Sequence, residues 1–179
     1  PNSFVGFSVY RELLKLLPKR KSSFSPESFC FPWSPYGGLL LSSVVVDSGI
    51  MPNVDLFLYC DDHDYTRRIS IEFGLYLNLD NHVLDVTDSW NVSTAGNVIN
   101  RILSGHHRWQ IYYSVRNQVY FDRAAAKNKV VFLANIAVFL LALTFAFAIG
   151  GAKSKNYRIA LNAIADGYKG NLGDKGFDF

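Results

Sequence analysis

LYCDDHDYTRR, residues 58–68, is the stretch on which the fold prediction for this chain depends. It places three carboxylates and one imidazole in residues 61–64, behind the largely apolar run 54–59, and two arginines follow. In open α/β sheets, ligands bind beyond the carboxyl ends of the strands. Carboxylates crowded there repel one another, and a cation, a substrate hydroxyl or an arginine must compensate them. The stretch therefore favours an α/β fold with a site at the end of a buried strand.

The composition of the whole chain indicates a folded protein of modest size. Its 179 residues include 15% aromatic and 18% charged side chains, which argues against disorder. The formal net charge of +3 is too small for a dedicated nucleic-acid binder, so no nucleic-acid partner is expected. The two cysteines, Cys30 and Cys60, form neither a disulfide framework nor a CxxC metal knuckle, which favours a reducing compartment.

Three apolar runs in the first half of the chain are typical of strands. Residues 39–46 predict either a buried strand or a strand that leads into a helix capped by Ser42 or Ser43. Residues 54–59 form a second apolar run, and residues 75–86 alternate loosely.

One helix is predicted directly after the acidic cluster. The spacing of residues 64–73 places Tyr65, Ile69 and Phe73 on one face, which indicates an amphipathic helix. Gly74 follows at the position of a helix C-cap.

The second half of the chain predicts helices and a membrane contact. Residues 108–123 interleave aromatics with arginines, as an amphipathic interfacial helix does. Residues 130–152 hold no charged side chain. At about 1.5 Å per residue they can cross a hydrocarbon core of roughly 30 Å. Lysines flank both ends, so the sequence leaves open whether this helix spans the bilayer, lies on it, or is buried in an oligomer interface. Glycines at every third position from 167 to 176 indicate a mobile tail.

The acidic cluster has a purely structural interpretation and two weaker chemical ones. Asp61, Asp62 and Asp64 can complement the dipole of the following helix and cap it, with arginines closing salt bridges. A calcium loop is excluded, because the required glycine and glutamate are absent. Residues 62–66 resemble the DxDxT signature of haloacid-dehalogenase-like phosphotransferases, in which Asp62 would attack phosphorus and Asp64 would act as acid and base. The arginines at 67 and 68 depart from that signature.

A broader resemblance involves four blocks along the chain. They are residues 33–42 (WSPYGGLLLS) with a later Gly-Ile pair, residues 55–68 (DLFLYCDDHDYTRR), residues 109–117 (WQIYYSVRN), and residues 160–173, which contain Asp-Gly-x-x-Gly. In this order they resemble the family 2 glycosyltransferases, and most of all the bacterial rhamnosyltransferase and galactofuranosyltransferase branch. Each block alone is weakly specific, whereas four in the right order are fairly specific.

The resemblance implies a fold and a division of the chain. It implies the C-terminal portion of a GT-A, Rossmann-like α/β glycosyltransferase domain. Residues 1–100 would be the acceptor-side half of the catalytic domain. Residues 101–179 would be a helical, membrane-associated region that contains the hydrophobic helix 130–152. The nucleotide-binding half is expected before residue 33 and would be supplied as a partner.

The resemblance also implies an inverting transfer of a sugar from a nucleotide-diphosphate donor to a glycan or lipid-linked acceptor. Such a reaction needs a base for the hydroxyl proton and a positive charge on the leaving diphosphate. Asp62 corresponds to the family's base, and Asp61 would orient the acceptor or tune Asp62. The residues expected on the acceptor side are Trp33, Tyr36, Gly37, Gly38, Asp64, Arg116 and Asn117. For Trp33 an ordinary core role, and for the two glycines a tight turn, are equally good interpretations.

The expected cofactor is a divalent cation, Mg²⁺ or Mn²⁺, held mainly by the absent nucleotide-binding half. In this chain Asp85 or His82 would take the place of the family's metal-binding histidine. Expected partners are the donor, the acceptor, the membrane surface and a second copy of the chain, at the cytoplasmic face of the cell membrane. A non-catalytic, membrane-associated interaction module is the alternative from a different class.

Overall fold

The computed structural model describes residues 2–15, 30–78, 82–84, 98–104, 107–150 and 154–177, and the secondary structure of these residues is helical. The helices are α1 (Val9–Lys15), α2 (Ser43–Asp47), α3 (Asp61–Phe73), α4 (Val98–Ser104), α5 (Arg108–Ala125), α6 (Lys129–Gly150) and α7 (Ser154–Lys169), with a 3-10 turn at Val54–Leu56. Within these ranges β-type pairing is limited to two isolated bridges, Phe4 with Phe7 and Cys30 with Tyr76.

The predicted α/β, Rossmann-like GT-A fold is wrong, because the described residues contain helices and no strand or sheet. Of the run 39–46, residues 43–46 belong to α2 with Ser42 at the N-cap position, so the predicted helix is observed, but residues 39–42 form no strand before it and the Ser42 side chain makes no capping hydrogen bond. Residues 54–56 form the 3-10 turn where a strand was predicted. A strand needs a neighbour that satisfies its backbone polar groups, and here the side chain of Asn117 binds the carbonyls of this run instead.

The helix predicted after the acidic cluster is confirmed as α3. Tyr65 and Ile69 are buried, and Phe73 packs against their cluster. Gly74 ends the helix with φ +77°, a conformation that glycine adopts without steric cost. The helix begins at Asp61, so the whole acidic cluster lies in its first turn.

The core of the molecule contains α5, the aromatic helix predicted to lie at a membrane interface. It is instead buried in the protein along most of its length. Its closest neighbour is α7, and α4 and α6 complete the cluster. The approach of α7 depends on Gly167, because an added Cβ would lie 2.2 Å from the carbonyl oxygen of Arg116. The core therefore consists of the α5–α7 pair with α4 against α7 and α6 against α4.

The N-terminal segment joins this core. The ring of Phe4 is fully buried and meets Phe132 and Phe139 edge-on, with centroids 5.8 and 5.3 Å apart. The backbone N–H of Val5 donates to Asp122 Oδ2 on α5 at 2.7 Å. Residues from the predicted regions 1–100 and 101–179 thus share one core.

The apolar helix α6 has the extent predicted from its composition, apart from residues 151–152, which lie outside the described residues. By length and composition it can cross a membrane. One of its stripes, formed by Phe132, Asn135, Phe139 and Leu143, is buried against the protein.

The C-terminal tail is docked, which corrects the prediction of a mobile tail for residues 170–177. The ring of Phe177 lies 5.1 Å from that of Tyr112 and 5.8 Å from that of Tyr113, both on α5. The N–H of Gly173 donates to the carbonyl of Asp55 at 2.8 Å. The tail therefore contacts the loop that leads into α3.

Candidate functional site

Asp61 and Asp62 lie in the first turn of α3 and are half-buried. The Oδ1 of Asp62 accepts a hydrogen bond from the N–H of His63 at 2.7 Å. The N-cap residue is Cys60, whose side chain makes no capping hydrogen bond. Both carboxylates lie at the positive end of the helix dipole, as the structural interpretation of the cluster requires, and both keep exposed surface.

The backbone that carries the carboxylates is strained. Phe57, Tyr59 and Cys60 have φ values of 49°, 66° and 61°, in the region that residues with a Cβ rarely adopt. Each such residue costs of order 1–3 kcal/mol, and it persists where the surroundings hold it in place. This strain lies directly before the acidic turn.

Asn117 and Arg116, on α5, are the groups that hold this backbone. The Asn117 Nδ2 donates toward the carbonyls of three loop residues, Leu56, Leu58 and Tyr59, the last at 3.0 Å. Arg116 donates to the carbonyl of Gly173 at 2.5 Å and to that of Asp55 at 3.4 Å. Both side chains are completely buried. They position the loop and the tail, and this burial corrects the expectation that they contact an acceptor.

Trp33 lies beside the acidic turn and is half-buried. Its ring packs against His63 on α3 and Phe121 on α5, with centroids 6.1 and 5.4 Å apart. Thr66 fixes the adjoining backbone, because its Oγ1 accepts from the N–H of Ser34 at 2.9 Å and lies 2.7 Å from the carbonyl of Asp62. Trp33 therefore serves in part as a core aromatic and in part as a wall of the site.

Tyr36 is the second aromatic at the site. Partial burial, followed by the charges of Asp61 and Asp62, raises the pKa of Tyr36 to about 12. Its ring also meets that of Tyr65 at 6.1 Å. The hydroxyl consequently stays protonated at neutral pH and is a hydrogen-bond donor next to two carboxylates.

Gly37 and Gly38 form a tight turn, in which the N–H of Leu39 donates to the carbonyl of Tyr36 at 3.0 Å. Gly38 has φ +78°, and a Cβ added there would lie 2.8 Å from Cγ2 of Val83. The space over Gly38 is thus taken by the chain itself, which favours the turn interpretation. Gly37 is open to solvent.

Asp64 has a structural role. It is buried, and its Oδ2 accepts from Arg68 Nε at 3.0 Å, while Arg68 also donates to the carbonyl of Met51 at 2.7 Å. The ion pair orients Arg68, and the bond from Arg68 to Met51 ties α3 to the loop before it. The expected contact of Asp64 with an acceptor does not fit a carboxylate enclosed in this way.

The predicted metal ligands are not assembled into a site in the part of the chain that the structure describes. His82 is exposed, in the short segment that covers Gly38. Asp85 lies outside the described residues. Across the described ranges, no group of three or more His, Cys, Asp or Glu side chains is placed to hold a metal ion.

A chain of polar contacts that the sequence did not predict lies behind the site. Cys60 Sγ donates to Gln118 Oε1 at 3.2 Å, and Gln118 Nε2 donates to Asp122 Oδ1 at 3.1 Å. Burial, with the nearby carboxylates as a smaller cause, raises the pKa of the Cys60 thiol. Burial also raises the pKa of Asp122 to about 6. The i, i+4 spacing of Gln118 and Asp122 on a helix was the available signal.

A separate cleft of about 390 Å³ lies between α5, α7 and the tail. Burial acts to raise the pKa of Asp166 in this cleft, but hydrogen bonds from Tyr112 and Asn171 outweigh it and lower the pKa. The cleft contains none of the predicted site residues; its lining is Tyr112, Asn162, Ala165, Asp166, Lys169, Lys175 and Phe177.

Comparison of the chain with protein-family models, with curated proteins and with solved structures found no match.

Proposed function

We propose that this protein takes part in sugar transfer and that Asp62 removes the proton from the acceptor hydroxyl. The observation that supports this most is the strained loop, which buried Asn117 holds directly before two half-buried carboxylates, Asp61 and Asp62, that lie beside Tyr36. Strained backbone of this kind concentrates at functional sites. Capping a helix does not require it, because Ser, Thr, Asn or Asp caps in relaxed conformations.

The residues of the site divide the chemistry among them. A general base must lie within hydrogen-bond reach of the proton that it takes, and Asp62 has one oxygen, Oδ2, beyond the one that binds the N–H of His63. The protonated Tyr36 hydrogen-bonds to Asp61 and so fixes this carboxylate, whose remaining lone pairs can accept from a neighbouring sugar hydroxyl. The exposed part of the Trp33 ring offers an apolar surface to a sugar face.

The donor in this proposal is a nucleotide-diphosphate sugar bound by a nucleotide-binding partner segment, and the transfer inverts the anomeric carbon. A divalent cation on that segment supplies charge to the leaving diphosphate. The acceptor is a glycan or a lipid-linked glycan at the cytoplasmic face of the membrane. Every role assigned to this chain belongs to the acceptor side.

The geometry favours sugar transfer over phosphoryl transfer. The phosphotransferase alternative needs Asp64 as a mobile acid and base, yet Asp64 is buried and paired with Arg68. Sugar transfer requires only one free base, Asp62. An enclosed Asp64 is therefore compatible with sugar transfer.

The deciding experiment is the substitution Asp62→Asn, assayed for sugar transfer with the partner segment, a donor and a divalent cation present. Asparagine keeps an oxygen for the N–H of His63, so the helix survives while the base is lost. We expect turnover to fall by about 10²–10⁴-fold. The matched control is Asp47→Asn, which removes one exposed carboxylate from α2 and should leave turnover unchanged. Near-normal turnover of Asp62→Asn would show that the base assignment is wrong.

Acceptor binding separates an enzyme from an interaction module. On an array of immobilised glycans, Trp33→Ala should lose binding, whereas Asp62→Asn and the exposed control Tyr10→Ala should retain it. If Trp33→Ala binds every glycan as the parent does, the acceptor site lies elsewhere and a non-catalytic role gains support.

A further inference from the structure

The apolar helix α6 carries a continuous exposed stripe along its length. Val130, Leu141, Phe145 and Ile149 are each between 68% and 76% exposed. These positions recur at helical spacing on one side of the helix. Contiguous exposed apolar surface of this kind is typical of a contact with another molecule or with lipid.

The opposite stripe of α6 is covered by the N-terminal segment and the rest of the core. The ring of Phe4 packs against Phe132 and Phe139 on this stripe. Asn135, in the N-terminal third of the helix, accepts from the N–H of Val9 at 2.9 Å and donates to the carbonyl of Asn2 at 2.6 Å. Protein, including polar backbone at Asn135, therefore lies along this side of α6.

This packing is incompatible with a helix that lipid surrounds on all sides. Val9 begins α1, whose Arg11, Glu12 and Lys15 are exposed. If α6 crossed the bilayer, the backbone of Asn2 and Val9 that bonds to Asn135 would lie at membrane depth beside the N-terminal third of the helix, and the charges of α1 follow directly after Val9. A charge there costs several kcal/mol, and unpaired backbone groups add to the cost.

Lipid fits the exposed stripe better than a second copy of the chain does. The two uncharged polar side chains of α6 are already used, since Asn135 is buried and the Thr144 hydroxyl bonds to the carbonyl of Leu140 and to Tyr157. The stripe thus has no hydrogen-bonding group to fix the register of a partner, whereas protein interfaces carry such groups regularly. Exposed Lys127, Lys129 and Lys155 lie at the two ends of the helix, where anionic headgroups complement them.

We propose that α6 is a monotopic membrane-docking helix, which lies in one leaflet with the stripe of Val130, Leu141, Phe145 and Ile149 in the acyl chains and the opposite stripe on the protein. The flanking lysines contact anionic headgroups at both ends of the helix. This assignment does not depend on the sugar-transfer proposal, because it rests on α6 and its neighbours alone.

Vesicle binding by the whole protein tests whether lipid contacts the exposed stripe of α6. We expect the parent to bind vesicles of phosphatidylcholine with phosphatidylserine more tightly than vesicles of phosphatidylcholine alone. Phe145→Glu should weaken that binding about tenfold or more. Ile71→Glu, which alters an apolar residue on α3 that is 70% exposed, should bind as the parent does. If Phe145→Glu binds vesicles normally but turns an oligomer into a monomer, the stripe is an interface between copies and the proposal fails.

Labelling from one side distinguishes docking from spanning and does not require a destabilising change. In a Cys30→Ser background, where the remaining native cysteine, Cys60, is buried, Val130→Cys and Ile149→Cys, introduced one at a time, mark the two ends of the exposed stripe. The protein is bound to sealed vesicles, and a membrane-impermeant thiol reagent is added outside. The reagent should label both positions, or neither position where acyl chains shield them. Detergent should change the extent of labelling equally at the two positions. Labelling of one end alone, with the other end reactive after detergent, would show a spanning helix and overturn the proposal.

Discussion

Asn117 shows how a single buried amide determines the backbone of a whole loop. It is fully buried on α5 and donates toward three carbonyls of the loop before α3. Without it, those carbonyls would lose their partners in a region that water does not reach freely. The left-handed residues of this loop, Phe57, Tyr59 and Cys60, depend on that support, because nothing in their side chains favours the conformation.

Replacing Asn117 with alanine should destabilise the protein by about 1–3 kcal/mol, the range for leaving a buried polar group unsatisfied. Urea unfolding measures the change, and amide exchange of residues 56–60 should accelerate more than that of α7. Asn162→Ala, which truncates an exposed asparagine on α7, serves as the control and should change the free energy of unfolding little. Equal unfolding curves for the two variants would contradict the role given to Asn117.

At the scale of elements, the contact between α5 and α7 depends on the absence of one side chain. Gly167 lies where a Cβ would be 2.2 Å from the Arg116 carbonyl oxygen and 2.9 Å from Val119 Cβ. The backbone of α5 cannot move away without disturbing the core, because Val115 and Val119 are packed on the same helix. This explains the glycine of the Asp-Gly-x-x-Gly block by packing. The last glycine of that block, Gly170, follows the end of α7 with φ +81°.

Gly167→Ala should therefore lower the free energy of unfolding, although alanine is the better helix former. Overpacking of this kind costs about 1–3 kcal/mol, more where backbone must shift. Gly150→Ala, at the end of α6, meets no atom within 4 Å and should be neutral or slightly stabilising. Thermal unfolding followed by circular dichroism compares the two, and a midpoint of Gly167→Ala at or above that of Gly150→Ala would refute the packing argument.

For the whole molecule, Asp122 links the N-terminal segment, α5 and the loop before α3. It accepts from Val5 and Gln118, and Gln118 accepts from Cys60. Burial raises the pKa of Asp122 from 3.8 to about 6. Between these values the folded protein binds more protons than the unfolded chain, so stability falls as the pH rises through this window.

The pH dependence of stability tests this linkage. Between pH values of about 4 and 6, the free energy of unfolding of the parent should fall relative to that of Asp122→Asn, by at most about 3 kcal/mol for a pKa shift of this size. Above that window the difference should stay constant. Denaturation at a series of pH values gives both curves, and parallel curves would mean that Asp122 titrates as an ordinary exposed carboxylate.

Several helices and part of the site could be predicted from local pattern. The helix after the acidic cluster, with Tyr65 and Ile69 inward and Gly74 at its end, follows from spacing and capping, which act within a few residues. The apolar helix α6 follows from its composition. Of the site residues that the resemblance implies, Tyr36 lies beside Asp61 and Asp62, and the ring of Trp33 packs against that of His63, the next residue.

The choice between strand and helix could not be read from the short apolar runs. Runs such as 39–46 and 54–59 carry no period that separates a buried strand from a helix or a turn. Their conformation depends on whether another strand lies beside them. In the described residues none does, and side chains from α5 satisfy the backbone of the second run.

The sequence by itself determined where α3, α5 and α6 lie and that charge gathers at the start of α3, because these features depend on neighbouring residues alone. The tertiary structure decided that Arg116 and Asn117 are buried and support the loop, and that Asp64 is buried and paired with Arg68. It also decided which stripe of α6 stays exposed. Burial and partner choice are properties of surfaces brought together from distant parts of the chain, and no local pattern contains them.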